Sequence, residues 1–158
     1  MIKGAYISED EVYRYALWRI WNKSKPYAMF VMLNPSTADS KEDDPTIRRC
    51  INFAQDWGYG GIYVGNLYAY RTPDSKFLTV VSDPIGPECD RWLDLMKEVS
   101  DIRIAGWGNR KLSQGRVDQV IRILGKMHCL GVTQDRNPRH PLYLSKDVIP
   151  TEFKYLSK

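Results

Sequence analysis

The chain has 158 residues, 43% of them hydrophobic and 27% charged, with a formal net charge of +4. That length and balance suit one globular domain over residues 1–158 and exclude a disordered or low-complexity chain. The mild positive charge is far from the dense basic stripe that would by itself announce a nucleic-acid binder.

In chain order, residues 12–21 alternate, with Tyr13, Tyr15, Leu17, Arg19 and Trp21 on one side and Val12, Arg14, Ala16, Trp18 and Ile20 on the other. Their aromatic and β-branched content favours strand, as a β-ribbon ahead of the main unit; a helix starting at Ile7-Ser8-Glu9-Asp10 is the alternative. Residues 27–33 form a short continuous apolar run, the pattern of a strand covered on both faces. Asp44-Pro45 then supplies a helix N-cap with proline at the first helical position. Ile47, Cys50, Ile51, Ala54 and Trp57 follow at 3.6-residue spacing, until Gly58 and Gly60-Gly61 end the helix.

Ile62-Tyr63-Val64 is the second expected strand. A connection rich in Pro and Asp (residues 72–87) leads to a helix with Trp92, Leu95, Met96 and Val99 on one face. Ile102-Arg103-Ile104-Ala105 is the third strand, and Ser113 caps a helix carrying Val117, Val120, Ile121 and Leu124. Residues 127–132 are the fourth strand. Strands alternating with amphipathic helices imply βαβ units with right-handed crossovers. The expected fold is therefore α/β: a three-layer α/β/α sandwich around a central, mainly parallel four-stranded sheet.

Each of these apolar runs is followed by a polar loop: Met32-Leu33-Asn34-Pro35-Ser36-Thr37-Ala38-Asp39, Gly65-Asn66-Leu67-Tyr68-Ala69-Tyr70-Arg71, Ala105-Gly106-Trp107-Gly108-Asn109, and Asn137-Pro138-Arg139-His140-Pro141-Leu142-Tyr143. In a parallel sheet the four loops converge on the carboxyl edge, where ligands bind. Asn34, with Pro35 and Ser36, offers an amide able to hold a water or a carbonyl edge; turn chemistry explains the same three residues. Asn66 stands beside Tyr68, Tyr70 and Arg71, an amide next to rings, which is the equipment for reading a nucleobase edge while stacking on its face. The rings serve equally well as core or rim aromatics. Trp107 and Asn109 extend the ligand-facing set on the third loop. His140 lies between Arg139 and Pro141, where a near-neutral pKa suits proton or hydrogen-bond work, whereas His128 falls within a strand.

Arg71, Arg110, Arg136 and Arg139 lie in or beside these loops and are placed to meet phosphates. Asp39, Asp43 and Asp44 form an acidic cluster open to a divalent metal, although Asp44 caps a helix and Lys41, Arg48 and Arg49 neutralise the rest. Cys50, Cys89 and Cys129 give neither a disulfide framework nor a C-x-x-C pair, so buried thiols are expected. No phosphate-binding P-loop, dinucleotide fingerprint, nucleophile elbow or zinc-deaminase signature is present. No signal-peptide block and no apolar run near ~20 residues is found, so the protein is expected to be cytoplasmic with no membrane contact.

The combination of Tyr13-Arg14, residues 33–39 (the L-N-P-S-T-A-D signature), Asp44-Pro45-Thr46-Ile47-Arg48-Arg49, Trp57-Gly58-Tyr59-Gly60-Gly61, Asn66-Leu67, Tyr70-Arg71, Trp107-Gly108 and His140-Pro141-Leu142-Tyr143-Leu144 resembles an uncharacterised domain family of bacteria and their phages. More remotely, Leu33-Asn34-Pro35-Ser36, Asn66 and His140-Pro141 resemble, in order, three motifs of the uracil-DNA glycosylase superfamily. That resemblance implies a glycosylase-like fold in which Asn34 positions a water or base edge, Asn66 reads the base, Tyr68 or Tyr70 stacks, and His140 stabilises charge on a departing base. The first motif lacks the aspartate that activates water in the strongest of those enzymes, and Leu142 stands where a serine is expected.

The leading expectation is therefore a nucleobase- or nucleotide-binding protein that sequesters its ligand without catalysis. The alternative is hydrolysis of the N-glycosidic bond of an altered base in DNA, and a metal-dependent hydrolase built on the three aspartates stands third. No cofactor or resident metal is implied; the partner is a nucleotide or nucleic acid, and a homo-oligomer is left open.

Overall fold

The alternating N-terminal segment pairs with itself and then joins the main sheet. The computed structural model describes residues 1–110 and 112–155. In it β1 (Ile2–Ile7) and β2 (Arg14–Ile20) form an antiparallel ribbon, and β2 lies antiparallel to β4 (Gly61–Asn66). Next come β3 (Tyr27–Met32), β5 (Ile102–Ala105), β6 (His128–Cys129) and β7 (Thr151–Glu152), in a seven-stranded sheet of order β1-β2-β4-β3-β5-β6-β7.

The expectation of a mainly parallel four-stranded sheet is thus corrected. The ladders β3–β4, β3–β5 and β5–β6 are parallel, but β1–β2, β2–β4 and β6–β7 are antiparallel, so the sheet is mixed. The ribbon is not an appendage ahead of the unit. Residues 14–17, 19 and 20 of β2 are buried because the strand is covered on both faces. β7 left no apolar signal, since both of its residues are exposed. The fourth expected strand, residues 127–132, shrinks to His128–Cys129, and Gly131 beyond it adopts φ +97°, a turn conformation.

Period-two alternation sorts the sheet residues between two cores. Ala28, Phe30, Ile62, Val64 and Ile104 face α1 (Pro45–Asp56), which buries Ile47, Cys50, Ile51, Phe53 and Ala54 against them. Met29, Val31 and Ala105 face α2 (Cys89–Glu98) and α3 (Gln114–Leu124) on the opposite side. One helix covers one face and two cover the other.

α1 begins as the sequence predicts: Asp44 is the N-cap, its Oδ1 accepting the Ile47 N–H at 2.9 Å, with Pro45 following. α2 differs in register. Its buried stripe is Cys89, Leu93 and Met96, while Leu95 and Val99 are 45% and 49% exposed. The helix sits so close to β4 that a Cβ on Gly65 would lie 2.7 Å from both Leu93 and Met96, which fixes the stripe. Ser113 occupies the N-cap position of α3 but makes no capping bond.

Arg19 holds the connection between β3 and α1. It is 0% exposed. Its Nε pairs with Asp43 Oδ1 at 2.7 Å; Nη1 donates to Gly4 O and Trp18 O, and Nη2 to Asp39 O and Glu42 O. One buried guanidinium thus joins the ribbon to the loop that enters α1.

Candidate functional site

A cleft of about 270 Å³ opens at the carboxyl ends of the central strands. The loop after β3 contributes Asn34, Pro35 and Ser36; the end of β4 contributes Asn66; the segment after β5 contributes Trp107; and His140 comes from the last loop. The four loops read from the sequence do converge, each supplying at least one wall residue. Arg14 from the start of β2, Asp44 and Thr46 from the start of α1, and Thr72 and Ser75 from the connection after β4 also line it.

Asn66 is the residue on which the cleft's chemistry turns. Its side chain continues the period-two face of Ile62 and Val64, where an apolar residue would be expected to meet α1. It is 2% exposed, and among the described residues neither Nδ2 nor Oδ1 has a hydrogen-bond partner. An unpaired buried amide costs about 1–3 kcal/mol for each unmade bond, so the site holds polar capacity in reserve.

Asn34 is differently placed. Its Nδ2 donates to Thr72 O at 2.8 Å and to Pro35 O at 3.1 Å, while the Thr72 N–H returns a bond to Pro35 O at 3.0 Å. Turn chemistry and site chemistry coexist here: the amide nitrogen stitches two loops together, and Oδ1 is the atom it offers to a ligand.

His140 Nδ1 accepts the Leu142 N–H at 3.1 Å and so caps the 3₁₀ turn Pro141–Tyr143. In the neutral ring the proton therefore sits on Nε2, a donor. Burial pulls the pKa of His140 below its ordinary value of 6.5, with the Asp44 carboxylate opposing that shift. Between the lowered folded value and 6.5 the unfolded chain binds more protons than the native one. This contribution to stability is therefore whole above pH 6.5 and is lost as the pH falls from there through the folded value. His140→Asn keeps an acceptor for the cap but does not titrate. In urea midpoints measured from pH 7.5 to 5 it is expected to show a shallower loss of stability than the wild type; parallel profiles would remove His140 as the cause.

Arg14 is a cleft-lining residue that the sequence did not place among the candidate site residues. It is 2% exposed, its Nη1 donates to Ala38 O at 3.1 Å, its Nε is unpartnered, and it forms no ion pair among the described residues. Burial lowers its pKa to about 10, the Asp44 field opposing and the Arg71 and Arg19 fields adding to the shift, so it stays charged at neutral pH. The available signal was a charged residue inside a segment otherwise patterned for burial, a placement rare unless the charge is paired.

Other expected site residues lie elsewhere. Tyr68 is 4% exposed in the core beneath α2 and α3 and lines a separate small cavity with Leu67, Trp107 and Leu112. After Asn66 the chain leaves the sheet, the Leu67 and Tyr68 N–H groups bonding to Met32 O and Leu33 O, and the ring passes to that opposite face. Tyr70 packs edge to face on Tyr13, with ring centroids 6.3 Å apart. Neither tyrosine is in the lining of the cleft, where among the described residues Trp107 is the one Phe, Tyr or Trp ring.

Arg71 donates to Glu11 O at 3.3 Å, outside the cleft lining. Asn109 Oδ1 accepts from Thr133 Oγ1 and Asn137 Nδ2, a clasp between loops. Arg139 is exposed beside Gly131, and Arg110 and Arg136 line the cavity on the Tyr68 side.

The acidic cluster is structural. Asp43 pairs with Arg19 and, at 3.6 Å, with Lys3; Asp44 caps α1. Asp39 accepts the Glu42 and Lys41 N–H groups, which hold its carboxyl below the usual range. Among the described residues no group of three His, Cys, Asp or Glu is placed to hold a metal ion. Cys50, Cys89 and Cys129 are free and buried, and burial pushes the Cys50 and Cys89 thiols up, so neither is an activated nucleophile. No described helix is long and apolar enough to cross a membrane.

A family model described as "Protein of unknown function (DUF1643)" matches residues 14–142, a span that takes in every residue lining the cleft. No curated protein and no solved structure matches the chain.

Proposed function

Because the chain belongs to the DUF1643 family, whose description assigns no activity, its function has to be argued from the cleft, and we propose that the cleft binds a nucleobase-bearing ligand. The observation that carries this reading is the Asn66 carboxamide, buried with both polar atoms unpaired in the wall of the cleft. A donor and an acceptor side by side match the alternating edge of a base. Asn34 Oδ1 and the His140 Nε2–H add one acceptor and one donor, and Trp107 supplies an aromatic surface. A volume of about 270 Å³ falls just below the range of about 300–1,000 Å³ typical of drug-sized ligands, a scale that suits a base with part of its sugar.

Binding without turnover is the favoured form. The first motif carries Asn34 where an acid would activate water, and Asp44, the one carboxylate among the described cleft residues, is committed through Oδ1 to the Ile47 N–H. Thermal denaturation with a panel of bases, nucleosides and nucleotides tests this. A specific ligand at a hundred times its Kd is expected to stabilise the protein by about 2.7 kcal/mol. No shift from any member of the panel, with the wild type folded, would dispose of the reading.

The presence of Asn34 and His140 in the same wall favours a second reading, removal of an altered base on a glycosylase-like fold. There the Nε2–H would donate to the oxygen of the departing base as negative charge develops. Abasic sites formed in oligonucleotides carrying uracil or modified bases, and lost on substituting Asn34 or His140, would establish it over sequestration.

A further inference from the structure

We propose that the cleft contains a phosphoryl-binding subsite, made by Arg14 against the N-terminus of α1, and that the ligand is accordingly a phosphorylated nucleoside. The inference rests on the base-reading function above and supplies the charged half of the ligand.

Among the described residues Arg14 has no ion-pair partner. A buried charge is costly unless paired, and native proteins pair such groups or bind ions with them. Arg19, five residues on in the same strand, shows the ordinary solution, with Asp43 at 2.7 Å and four carbonyls taking its remaining donors. Arg14 has one carbonyl, Ala38 O, and leaves Nε unbonded while lining an open cleft. No described residue supplies the missing partner, and a bound anion would.

The surroundings favour an anion over a neutral group. The first turn of α1, a helix of 12 residues, borders the same cleft through Asp44, Thr46 and Ile47. Pro45 has no N–H, the Ile47 N–H is taken by Asp44 Oδ1, and the Arg48 N–H by Asp44 O. Thr46 is left with a backbone N–H at the positive end of the helix, where phosphate oxygens are characteristically held. The hydroxyls of Ser36, Thr46 and Ser75 line the cleft without a hydrogen bond of their own among the described residues. A guanidinium fork, a helix N-terminus and hydroxyl donors are the usual contacts of a phosphoryl group.

Asp44 lines the cleft and its field reaches Arg14 and His140, but its Oδ1 is engaged by the Ile47 N–H; Asp39 and Asp43 are bound to backbone N–H groups and to Arg19, respectively. Arg71 and Arg19 act on Arg14 with like charge and Asp44 and Asp39 with opposite charge, Asp44 the strongest of the four, yet neither of the two carboxylates forms an ion pair with it.

Isothermal titration of orthophosphate, of the common ribonucleosides and their 5′-monophosphates, and of a short single-stranded oligonucleotide tests the subsite in wild type and Arg14→Gln. In the wild type, orthophosphate is expected to bind saturably and to compete with a monophosphate, and monophosphates are expected to bind at least about tenfold tighter than nucleosides. Arg14→Gln is expected to erase that margin. A margin absent from the wild type, or one that survives Arg14→Gln, overturns the proposal. If orthophosphate binds through Arg14 but no nucleoside binds, the base-reading function fails and the anion subsite stands. Should Arg14→Gln not fold, Arg14→Lys, which keeps the charge and loses the fork, is expected to reduce the margin; an unchanged margin counts against the subsite. Competition by the oligonucleotide assigns the phosphoryl group to a strand, and competition by mononucleotides alone assigns it to a free nucleotide.

Discussion

Asn66→Leu is expected to raise stability by about 1–3 kcal/mol while abolishing ligand-induced stabilisation. The ordinary result of altering a buried residue is a loss of that size. The sign reverses here because the native amide is desolvated with neither Nδ2 nor Oδ1 bonded, and a leucine of similar branching removes both unmet groups at once. For a chain of this length a gain of 1 kcal/mol corresponds to about 2–4 °C in melting temperature, so the increase is readily measured by calorimetry. A fall in melting temperature would mean that the amide is satisfied in the free protein, and its role as a ligand-facing group would go with it. A gain in stability bought at the cost of binding is the signature of a site kept for use.

Arg19→Met is expected to cost about 3–5 kcal/mol, the largest effect of any single change considered, read as a drop in urea midpoint at unchanged slope. The substitution removes the buried cation, leaves the half-buried Asp43 carboxylate with only Lys3 at 3.6 Å, and strips Gly4, Trp18, Asp39 and Glu42 of a shared donor. It also releases the loop that feeds α1, so ligand binding is expected to weaken along with stability. Arg14→Gln should be far milder, since the charge it removes has no ion-pair partner. Two fully buried arginines on one strand are thus expected to differ by several kcal/mol, and equal costs would show that Arg14 has a structural partner after all.

The central strands, α1 with its cap, and the convergence of the four loops were legible because each rests on local signals. Asp44-Pro45 is a cap by its own chemistry, and an apolar run followed by a polar loop marks a strand end. What was not legible depends on contacts remote in sequence. The joining of β2 to β4 is set by pairing Leu17 with Val64 across almost fifty residues, and nothing in residues 12–21 names that partner. The register of α2 is set by the space above Gly65, not by the helix's own pattern, which is why Leu95 and Val99 looked internal.

Within the site, Asn34, Asn66, Trp107 and His140 could be found from position after a strand. Tyr68 and Tyr70 could not be separated from them, because the direction the chain takes beyond Asn66 decides which face a ring reaches. Arg14 was hidden for the opposite reason: it belongs to a strand and enters the cleft only through the sheet order.

The ribbon's place in the sheet has a kinetic meaning. Arg14 comes to the cleft on β2, which is held by β4 on one edge and by β1 on the other. A ligand gripping Arg14 therefore bridges the N-terminal ribbon and the parallel strands. Occupancy and ribbon docking become thermodynamically linked, and amide hydrogen exchange in β1 and β2 should slow as the ligand binds.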